Sequence, residues 1–427
     1  MSERYQADTV PIPVVSAPAA PVPAASVPAA SVPEASVPAA PTPAALVPET
    51  PTPAAASGAP AKPRSEWADI AKGVCILLVV LWHVIMKLYL TIDWHLPVPL
   101  PGLWGAFGDL LLPLRMPVFF TISGMFAVAA VQRTWSATAK SRIARFYYLY
   151  LVWFTVHTLV LSLVPDFDTL AAHNALEVVE ELTITPTNLW YLVALAVYFV
   201  VAKLTRKLPT WVVLVPALLL SVIASADLLA APGNRGQLYQ NLFFFLLGLR
   251  FRPLLERWAR VATMRHLLVG GVVYLGCIGA VQVLGLQDLY GVWPAVCVVA
   301  VVVGVAGAVQ LERWRKGAAL LATLGRQTLP IYVMHMPLLA LLTAVVVGPF
   351  SQVGTGPQLV IAVLLPIVAV PLLVSVCLTL SSWLRAAGAT WLFELPKLSR
   401  ADRRESPATT AGSPAPSVPE PGAGGRY

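Results

Sequence analysis

Long apolar segments recur along the central part of the chain and are separated by short polar stretches. A helix needs roughly 20 apolar residues to cross the hydrocarbon of a bilayer, and about ten segments reach or approach that length. Their approximate bounds are 73–92, 109–131, 146–164, 188–204, 210–228, 238–250, 267–286, 292–310, 326–348 and 358–384. The sixth segment, "LYQNLFFFLLGLR", is short. The pattern predicts an all-α, polytopic membrane bundle of about ten transmembrane helices.

Two tails without hydrophobic periodicity flank this region. Residues 11–63 repeat units such as "SVPAA" and "PTPAA" and contain no aromatic residue that could build a core. The end of the chain, "ADRRESPATTAGSPAPSVPEPGAGGRY", has the same chemistry. We therefore expect a disordered Pro/Ala-rich tail over 1–63, a transmembrane domain over 64–385 and a largely disordered tail over 386–427.

The composition also indicates a membrane protein and gives no sign of a metal site. Charged residues make up 12% of the chain and hydrophobic residues 57%, whereas a soluble domain carries roughly 25% charged residues. All four cysteines lie inside apolar segments, at spacings that fit neither a zinc site nor a disulfide framework. We interpret them as small packed hydrophobic residues.

The basic residues predict how the bundle is oriented. In the ten-span arrangement, only Lys87, Arg115 and Arg235 of the 29 Lys and Arg residues fall within or beyond the outer half. The others lie in the tails and in even-numbered connections such as "RTWSATAKSRIAR" and "ERWRKG". Because cytoplasmic loops are enriched in Lys and Arg, both termini should be cytoplasmic. The acidic connection "PDFDTLAAHNALEVVEELTITP" should lie outside.

This asymmetry accounts for the basic character of the chain without a nucleic-acid partner. The five arginines between Arg250 and Arg265 are expected to contact anionic membrane lipid.

The first span carries a histidine that no neighbouring side chain can hydrogen-bond. A rise of about 1.5 Å per residue from Lys72 places His83 roughly 16 Å deep, near the bilayer centre. Eleven residues at about 100° each also bring Lys72 and His83 to nearly the same face of one helix. Asp69, at the approach to the helix, is placed to hold Lys72 or a nearby group. Ionisable groups at this depth usually face a bundle interior or a wet cavity; the alternative is a neutral imidazole that only packs against a neighbouring helix.

Two further ionisable residues enter the apolar region. His335 lies nine residues beyond Arg326, about 14 Å from the inner surface, so two histidines at matching depth predict a shared cavity. Arg115 enters the outer part of the second span, where its guanidinium keeps its charge and needs a carboxylate, backbone carbonyls or a substrate oxygen.

Other polar or small residues in or near the spans have simpler interpretations. Gly124 is expected to allow close contact between helices, and His157 to be a hydrogen-bonded histidine in the core. Asp93 and His95 follow the first span in "TIDWHLPVP" and are interpreted as solvated loop residues.

Several stretches resemble the acyltransferase 3 family of integral membrane O-acyltransferases. "WADIAKGVCILLVVLWHVI" is similar to the opening helix of that family, which carries an Asp and then a basic residue eleven positions before a His. "MPVFFTISGMF" resembles the FFxxSG signature of its second helix, and "NLWYLVALAVYFV", "NLFFFLLGLRF" and "LGRQTLPIYVMHMPL" are similar to its later signatures in the same order. The resemblance covers roughly residues 64–385, and "DIAKG" most resembles the fucose 4-O-acetylase-like branch.

The resemblance implies transfer of an acyl group, usually acetyl from acetyl-CoA, to a hydroxyl of a carbohydrate or glycolipid of the bacterial envelope, by a multi-pass protein of the plasma membrane. By the same resemblance His83 is the catalytic histidine and Lys72 its basic partner. The family often has Arg where this chain has Lys72, and lysine lacks the planar fork that binds phosphate with two hydrogen bonds. We expect no permanently bound cofactor; acyl-CoA is the donor substrate.

The geometry inferred from the residues suits this chemistry. His83 would remove the proton of the acceptor hydroxyl, since imidazole titrates near working pH. Arg115 or His335 would stabilise the charge that develops on the carbonyl oxygen, while CoA docks at the inner face near Lys72 and Asp69. Two alternatives stay open: a secondary transporter or flippase for a sugar or lipid, although the two halves show no repeat, and a scaffold that acts through its Pro/Ala tail.

Overall fold

The computed structural model describes residues 66–167, 169, 175–183, 186–229, 234–286 and 289–396. Helices and turns account for this part of the chain, which contains no strand. The helices are α1 (Trp67–Val84), α2 (Leu100–Leu110), α3 (Leu112–Gln132), α4 (Trp135–Thr138), α5 (Ala144–Leu161), α6 (Ala175–Thr183), α7 (Trp190–Leu204), α8 (Thr210–Ser225), α9 (Arg235–Arg250), α10 (Arg252–Val261), α11 (Met264–Val283), α12 (Val292–Glu312), α13 (Arg315–Arg326), α14 (Thr328–Gln352) and α15 (Thr355–Ala386). Wider π turns at Ile85–Tyr89 and Ala139–Ile143 extend α1 and join α4 to α5.

Each predicted span overlaps one of these helices, because an apolar run long enough to cross lipid satisfies its backbone hydrogen bonds only within a helix or a closed barrel. In the described part of the chain, 7 helical segments are long and apolar enough to cross a membrane, and α7 and α8 are shorter apolar helices. The all-α, multi-pass membrane fold is thereby confirmed. The total of ten spans and the cytoplasmic placement of both termini stay predictions.

The first helix lies at the centre of the bundle and begins earlier than the apolar pattern suggested. It starts at Trp67 rather than near residue 73, so Asp69 and Lys72 belong to its first two turns. It packs against α3, α12, α13, α14 and α15. The sequence underestimated its length because acidic and basic residues in the first turns interrupt the apolar run.

Glycines bring two pairs of helices into backbone contact. A Cβ at Gly73 would overlap the carbonyl of Leu321 in α13, and one at Gly325 would overlap the carbonyl of Asp69 in α1. Gly124 in α3 faces the Phe245 carbonyl of α9 in the same way. Gly124 therefore has the packing role expected from the sequence, because only a residue without a Cβ permits this approach.

The acidic connection after α5 folds back onto the bundle where it is described. Tyr150 in α5 donates a hydrogen bond of 2.6 Å to the backbone carbonyl of Glu181 in α6, and the Glu181 side chain is buried. Burial, followed by repulsion from Glu177 and Glu180, raises the pKa of the Glu181 carboxyl to about 7. This segment is thus partly integrated into the protein rather than fully solvated.

Packing also continues past the end of α15. A short 3₁₀ turn at Thr390–Leu392 lies against α5, where the Trp153 indole donates a 2.6 Å hydrogen bond to the Leu392 carbonyl. Phe393 is fully buried beside Trp153. The predicted tail over 1–63 lies outside the described residues, and so does the part of the predicted tail over 386–427 that follows residue 396.

Candidate active site

Two histidines from different helices meet inside the bundle. His83 in α1 and His335 in α14 have ring centroids 5.0 Å apart, and His335 Nε2 lies 3.4 Å from His83 Nδ1. His335 is buried and His83 is half-buried. From the position of each residue along its own helix, the sequence predicted that both lie at a similar depth in the membrane. The fold brings them into direct contact.

Contacts with backbone carbonyls indicate which nitrogen of each neutral ring carries the proton. His83 Nδ1 lies 2.8 Å from the Val79 carbonyl, and His335 Nδ1 lies 2.7 Å from the Tyr332 carbonyl. Since a carbonyl only accepts, each Nδ1 carries the proton in the neutral ring. His335 Nε2 is then a lone-pair acceptor that faces the His83 Nδ1–H. The remaining nitrogen, His83 Nε2, has an available lone pair, as a general base requires.

The residue beside His83 connects it to the buried arginine. The indole of Trp82 forms an edge contact with His83 at 4.9 Å between ring centroids, and the Arg115 guanidinium lies 4.4 Å from the indole centroid. Trp82 Nε1 and Arg115 Nη1 are enclosed, and neither has a hydrogen-bond partner among the described residues. Buried donors of this kind are costly unless something binds them. Asp109 attracts the charge of Arg115, as the carboxylate suggested from the sequence would, while Arg115 Nη1 itself has no hydrogen bond among the described residues.

A separate cavity of about 280 Å³ is lined by basic and aromatic side chains near the first turns of α1. Its cationic residues are Lys72 of α1, Arg142 of the π turn that leads into α5, Arg145 of α5 and Arg326 of α13. The aromatic walls include Phe119, Phe126, Phe146, Phe199, Tyr191 and Tyr332. Lys72 Nζ lies 5.3 Å from the centre of the Phe126 ring. Four cations with aromatic faces suit a ligand that carries phosphates and a flat ring.

Asp69 sits between two of these cations. Its carboxylate oxygens lie 3.9 Å from Lys72 Nζ and 4.0 Å from Arg326 Nη1. Asp69 is buried, so it orients the two basic groups from inside the protein and offsets part of their charge. The role that the sequence suggested for Asp69, holding Lys72 or a nearby group, matches this geometry.

Three hydroxyl-bearing side chains, Ser123, Tyr191 and Tyr332, also line the basic cavity. Ser123 and Tyr191 hydroxyls are 3.0 Å apart, and the Tyr332 hydroxyl lies 3.2 Å from the Tyr191 amide nitrogen that donates to it. Tyr332 faces the cavity with its side chain while its carbonyl binds His335. Tyr332 therefore connects the cavity to the histidine pair, although neither histidine lines the cavity itself.

The remaining candidates have structural positions. His157 is buried and donates through Nε2 to the Val333 carbonyl at 2.8 Å, as a satisfied core histidine would. Asp93 and His95 have side chains that are 78% and 59% exposed, at the solvated position expected for them. In the described part of the chain no three His, Cys, Asp or Glu side chains are grouped to hold a metal ion.

Sequence reasoning missed several residues of this site. Arg142 and Arg145 were assigned only to a positive connection, although "RIAR" places both within one helical turn. Tyr191 and Tyr332 occur in the stretches "NLWYLV" and "LPIYVMH", which carried the family resemblance, and Trp82 directly precedes His83. None of these residues interrupts the hydrophobic pattern strongly enough to be recognised without the fold.

The fold defines a multi-pass membrane protein with buried polar residues inside its helical bundle. The sequence profile of the acyltransferase 3 family, described as an acyltransferase domain, matches residues 65–384. The chain therefore belongs to this family and is a membrane acyltransferase. The branch of the family is not specified by this match.

A curated relative agrees with this assignment. The inner membrane protein YcfT of Escherichia coli K12 is 28% identical over 325 residues, which cover 71% of this chain and 88% of YcfT. No solved structure matches the chain. The multi-pass plasma-membrane location expected from the sequence is confirmed by the relative and the membrane-length helices.

Proposed function

We propose that this protein transfers an acyl group, acetyl by family resemblance, from acyl-CoA to a hydroxyl of a carbohydrate or glycolipid of the cell envelope, with His83 as the general base. The observation that carries the proposal is the placement of a four-cation cavity beside a pair of histidines whose tautomers leave His83 Nε2 able to accept a proton.

The basic cavity is the proposed donor site. CoA carries several phosphates and an adenine ring, so Lys72, Arg142, Arg145 and Arg326 would bind the phosphates while the aromatic walls contact the base. Lys72 offers a single point charge where the family often has Arg. The three arginines of the cavity compensate, because each guanidinium can bind a phosphate with two hydrogen bonds. The thioester arm would extend past Ser123 and Tyr332 toward the histidine pair.

The proposed reaction is direct acyl transfer. His83 Nε2 takes the proton of the acceptor hydroxyl as that oxygen attacks the thioester carbon. The C–S bond then breaks, and the resulting thiolate takes the proton from His83 to give free CoA and the O-acyl product. Protonated His83 would keep its Nδ1–H shared between the Val79 carbonyl and His335 Nε2. His335 therefore acts through His83, as a positioning residue.

Arg115 has a different task in this proposal. It lies over Trp82 and does not line the donor cavity. We therefore assign its unpartnered nitrogen to an oxygen of the acceptor. Stabilisation of the carbonyl oxygen, the role suggested from the sequence for Arg115 or His335, stays a prediction, and the tautomer assigned to His335 leaves it no N–H for that role.

Replacing His83 by alanine tests the proposal. In purified protein supplied with acetyl-CoA and membrane glycolipid, we expect His83→Ala to lower the release of free CoA at least 100-fold, since general-base catalysis contributes roughly 10²–10⁴-fold. Binding of CoA, measured by equilibrium dialysis, should stay within twofold because His83 does not line the donor cavity.

Two results would oppose the proposal. Undiminished CoA release by His83→Ala with intact CoA binding would remove the general base. Substrate movement across a vesicle membrane without release of CoA would instead support the transporter alternative.

A further inference from the structure

The hydroxyl groups in the wall of the basic cavity are hydrogen-bonded to one another in a fixed direction. Ser123 donates a 2.8 Å hydrogen bond to the Phe119 carbonyl, one turn earlier in α3. The Ser123 and Tyr191 hydroxyl oxygens are 3.0 Å apart. Because the only hydroxyl hydrogen of Ser123 is committed to the Phe119 carbonyl, Tyr191 donates in this contact and Ser123 accepts.

The hydroxyl of Tyr332 is committed in the same way. It donates to the Asn188 carbonyl at 2.8 Å and accepts from the backbone amide of Tyr191 at 3.2 Å. The hydroxyl hydrogens of Ser123, Tyr191 and Tyr332 are therefore all used within the protein, whereas the Tyr191 oxygen keeps a lone pair. This hydroxyl wall can accept a hydrogen bond from a ligand but cannot donate one.

Aromatic packing holds the Tyr191 hydroxyl in one place. The Tyr191 ring stacks on Phe119 with 4.9 Å between ring centroids and 5° between ring planes, and Tyr332 contacts it edge-on at 5.3 Å. Tyr191 is only 8% exposed. A side chain that is locked by its neighbours holds a bound group more precisely than a mobile one does, so the Tyr191 oxygen is suited to orient a ligand.

The cations and the hydroxyl wall therefore suit different parts of one ligand. Ionised phosphate oxygens only accept hydrogen bonds, so they fit the four cations and not the hydroxyl wall. Arg142 has an enclosed Nε without a hydrogen-bond partner among the described residues, as a cation that awaits an anionic ligand would. The hydroxyl wall instead fits an N–H group.

The position of the hydroxyl wall indicates which N–H group binds there. The backbone carbonyl of Tyr332 binds His335, so the wall lies on the side of the cavity that faces the histidines. In CoA, the pantetheine arm joins the nucleotide to the thioester and carries amide N–H groups. A thioester that reaches His83 brings the arm past the wall, while the adenine, at the far end of the molecule, stays among the cations.

We propose that the Tyr191 hydroxyl oxygen accepts a hydrogen bond from an amide N–H of the pantetheine arm and so aligns the thioester with His83. This assignment rests on the proposed function and adds a residue that distinguishes the arm of the donor from its nucleotide.

Binding of the two halves of CoA to the purified full-length protein tests the assignment. By equilibrium dialysis, Tyr191→Phe should weaken binding of CoA and of phosphopantetheine about fivefold or more, because a buried amide N–H loses its acceptor. Binding of adenosine 3′,5′-bisphosphate, which lacks the arm, should stay within about twofold and shows that the variant is folded.

Tyr198→Phe is the matched control for this change. Tyr198 is a buried tyrosine of the same helix, its hydroxyl donates to the Leu238 carbonyl, and it does not line the cavity. Tyr198→Phe should bind all three ligands within about twofold of the unmodified protein.

A change in the ligand tests the same bond without altering the protein. Of the CoA analogues in which one amide N–H is replaced by an ester oxygen, one should bind the unmodified protein about fivefold more weakly than CoA does. The same analogue and CoA should bind Tyr191→Phe equally well.

Three outcomes would overturn the assignment: unchanged CoA binding by Tyr191→Phe, an equal loss of the nucleotide and the arm, or ester analogues that all bind the unmodified protein as CoA does. Each of these leaves the proposed function standing, provided that the unmodified protein binds CoA and His83→Ala stops its release. A protein that does not bind CoA at all would instead remove the donor site, and this assignment with it.

Discussion

The two carbonyls that hold the histidine rings belong to the same helices that carry the rings. Val79 lies four residues before His83, and Tyr332 three residues before His335, so each Nδ1–H bonds back to its own helix. This local bond sets each tautomer independently of the contact between the two rings. The contact between the rings then gives His83 Nδ1–H a second acceptor while leaving its Nε2 available. Asp69 also serves two groups, because its one buried carboxylate lies near two cations of the donor cavity.

At the residue scale, we predict that Arg145→Gln weakens use of the acyl donor. A charge-assisted hydrogen bond contributes roughly 1.5–3 kcal/mol, so KM for acetyl-CoA should rise about tenfold or more while kcat changes little. Initial rates of CoA release over a range of acetyl-CoA concentrations measure both constants.

Arg313→Gln is the control for this change. Arg313 is an exposed arginine just after α12 and does not line the cavity. The Arg313→Gln variant should leave KM for acetyl-CoA unchanged. An equal rise in KM for both variants would indicate a general effect of surface charge rather than a phosphate site.

At the scale of helices, backbone contact through glycine sets the position of the site. Gly73 and Gly325 place α1 against α13, which fixes Asp69 beside Arg326. Gly124 does the same for α3 and α9, and Ser123, which bonds Tyr191, is its neighbour in sequence. Because a backbone carbonyl cannot move aside as a flexible side chain can, an added carbon atom at these contacts would force the helices apart.

We predict that Gly124→Ala destabilises the protein by about 1–3 kcal/mol, the usual cost of overpacking. Its Cβ would overlap the Phe245 carbonyl, and the two helices would have to separate. Thermal unfolding in detergent, followed by tryptophan fluorescence, measures the loss.

The same change at Gly271 in α11 is the matched control, since a Cβ there meets nothing within 4 Å. Gly271→Ala should be neutral or stabilise the protein by about 0.5–1 kcal/mol through helix propensity. A melting temperature of Gly124→Ala equal to that of Gly271→Ala would contradict the packing argument.

At the scale of the whole molecule, the proposed donor cavity lies beside the histidine pair, and Tyr332 belongs to both neighbourhoods. The cavity is lined by Lys72 near the start of α1, whereas Arg115 lies over Trp82, ten residues further along that helix. All the side chains named for this site belong to residues 66–396, and the sequence of the proline-rich tail offers no aromatic residue between 11 and 63 that could add to it.

We therefore predict that deleting residues 2–63 leaves acetyl-CoA turnover within twofold. Purified full-length and shortened proteins, compared at equal concentration, provide the measurement. A shortened protein that is folded by its melting temperature but inactive would instead support the scaffold interpretation, in which the tail carries the function.

The sequence by itself determined the helices, the membrane location and the residues that carry the family resemblance. These follow from local physics: an apolar run in lipid must satisfy its own backbone, and a lone charge or imidazole within that run is conspicuous. His83, His335, Arg115 and Lys72 were identifiable for this reason. The early start of α1 was not, because a mixed polar and apolar first turn looks like a connection.

Only the tertiary structure decided which of these residues work together. The contact between His83 and His335 joins positions 252 residues apart, and the donor cavity assembles Arg142, Arg145 and Arg326 from segments that the sequence marks merely as positive. That Trp82 Nε1 and Arg115 Nη1 have no hydrogen-bond partner among the described residues is likewise a property of the packed bundle. Such features depend on how helices approach one another, which is set by small glycine contacts and side-chain shape rather than by the period of the hydrophobic pattern.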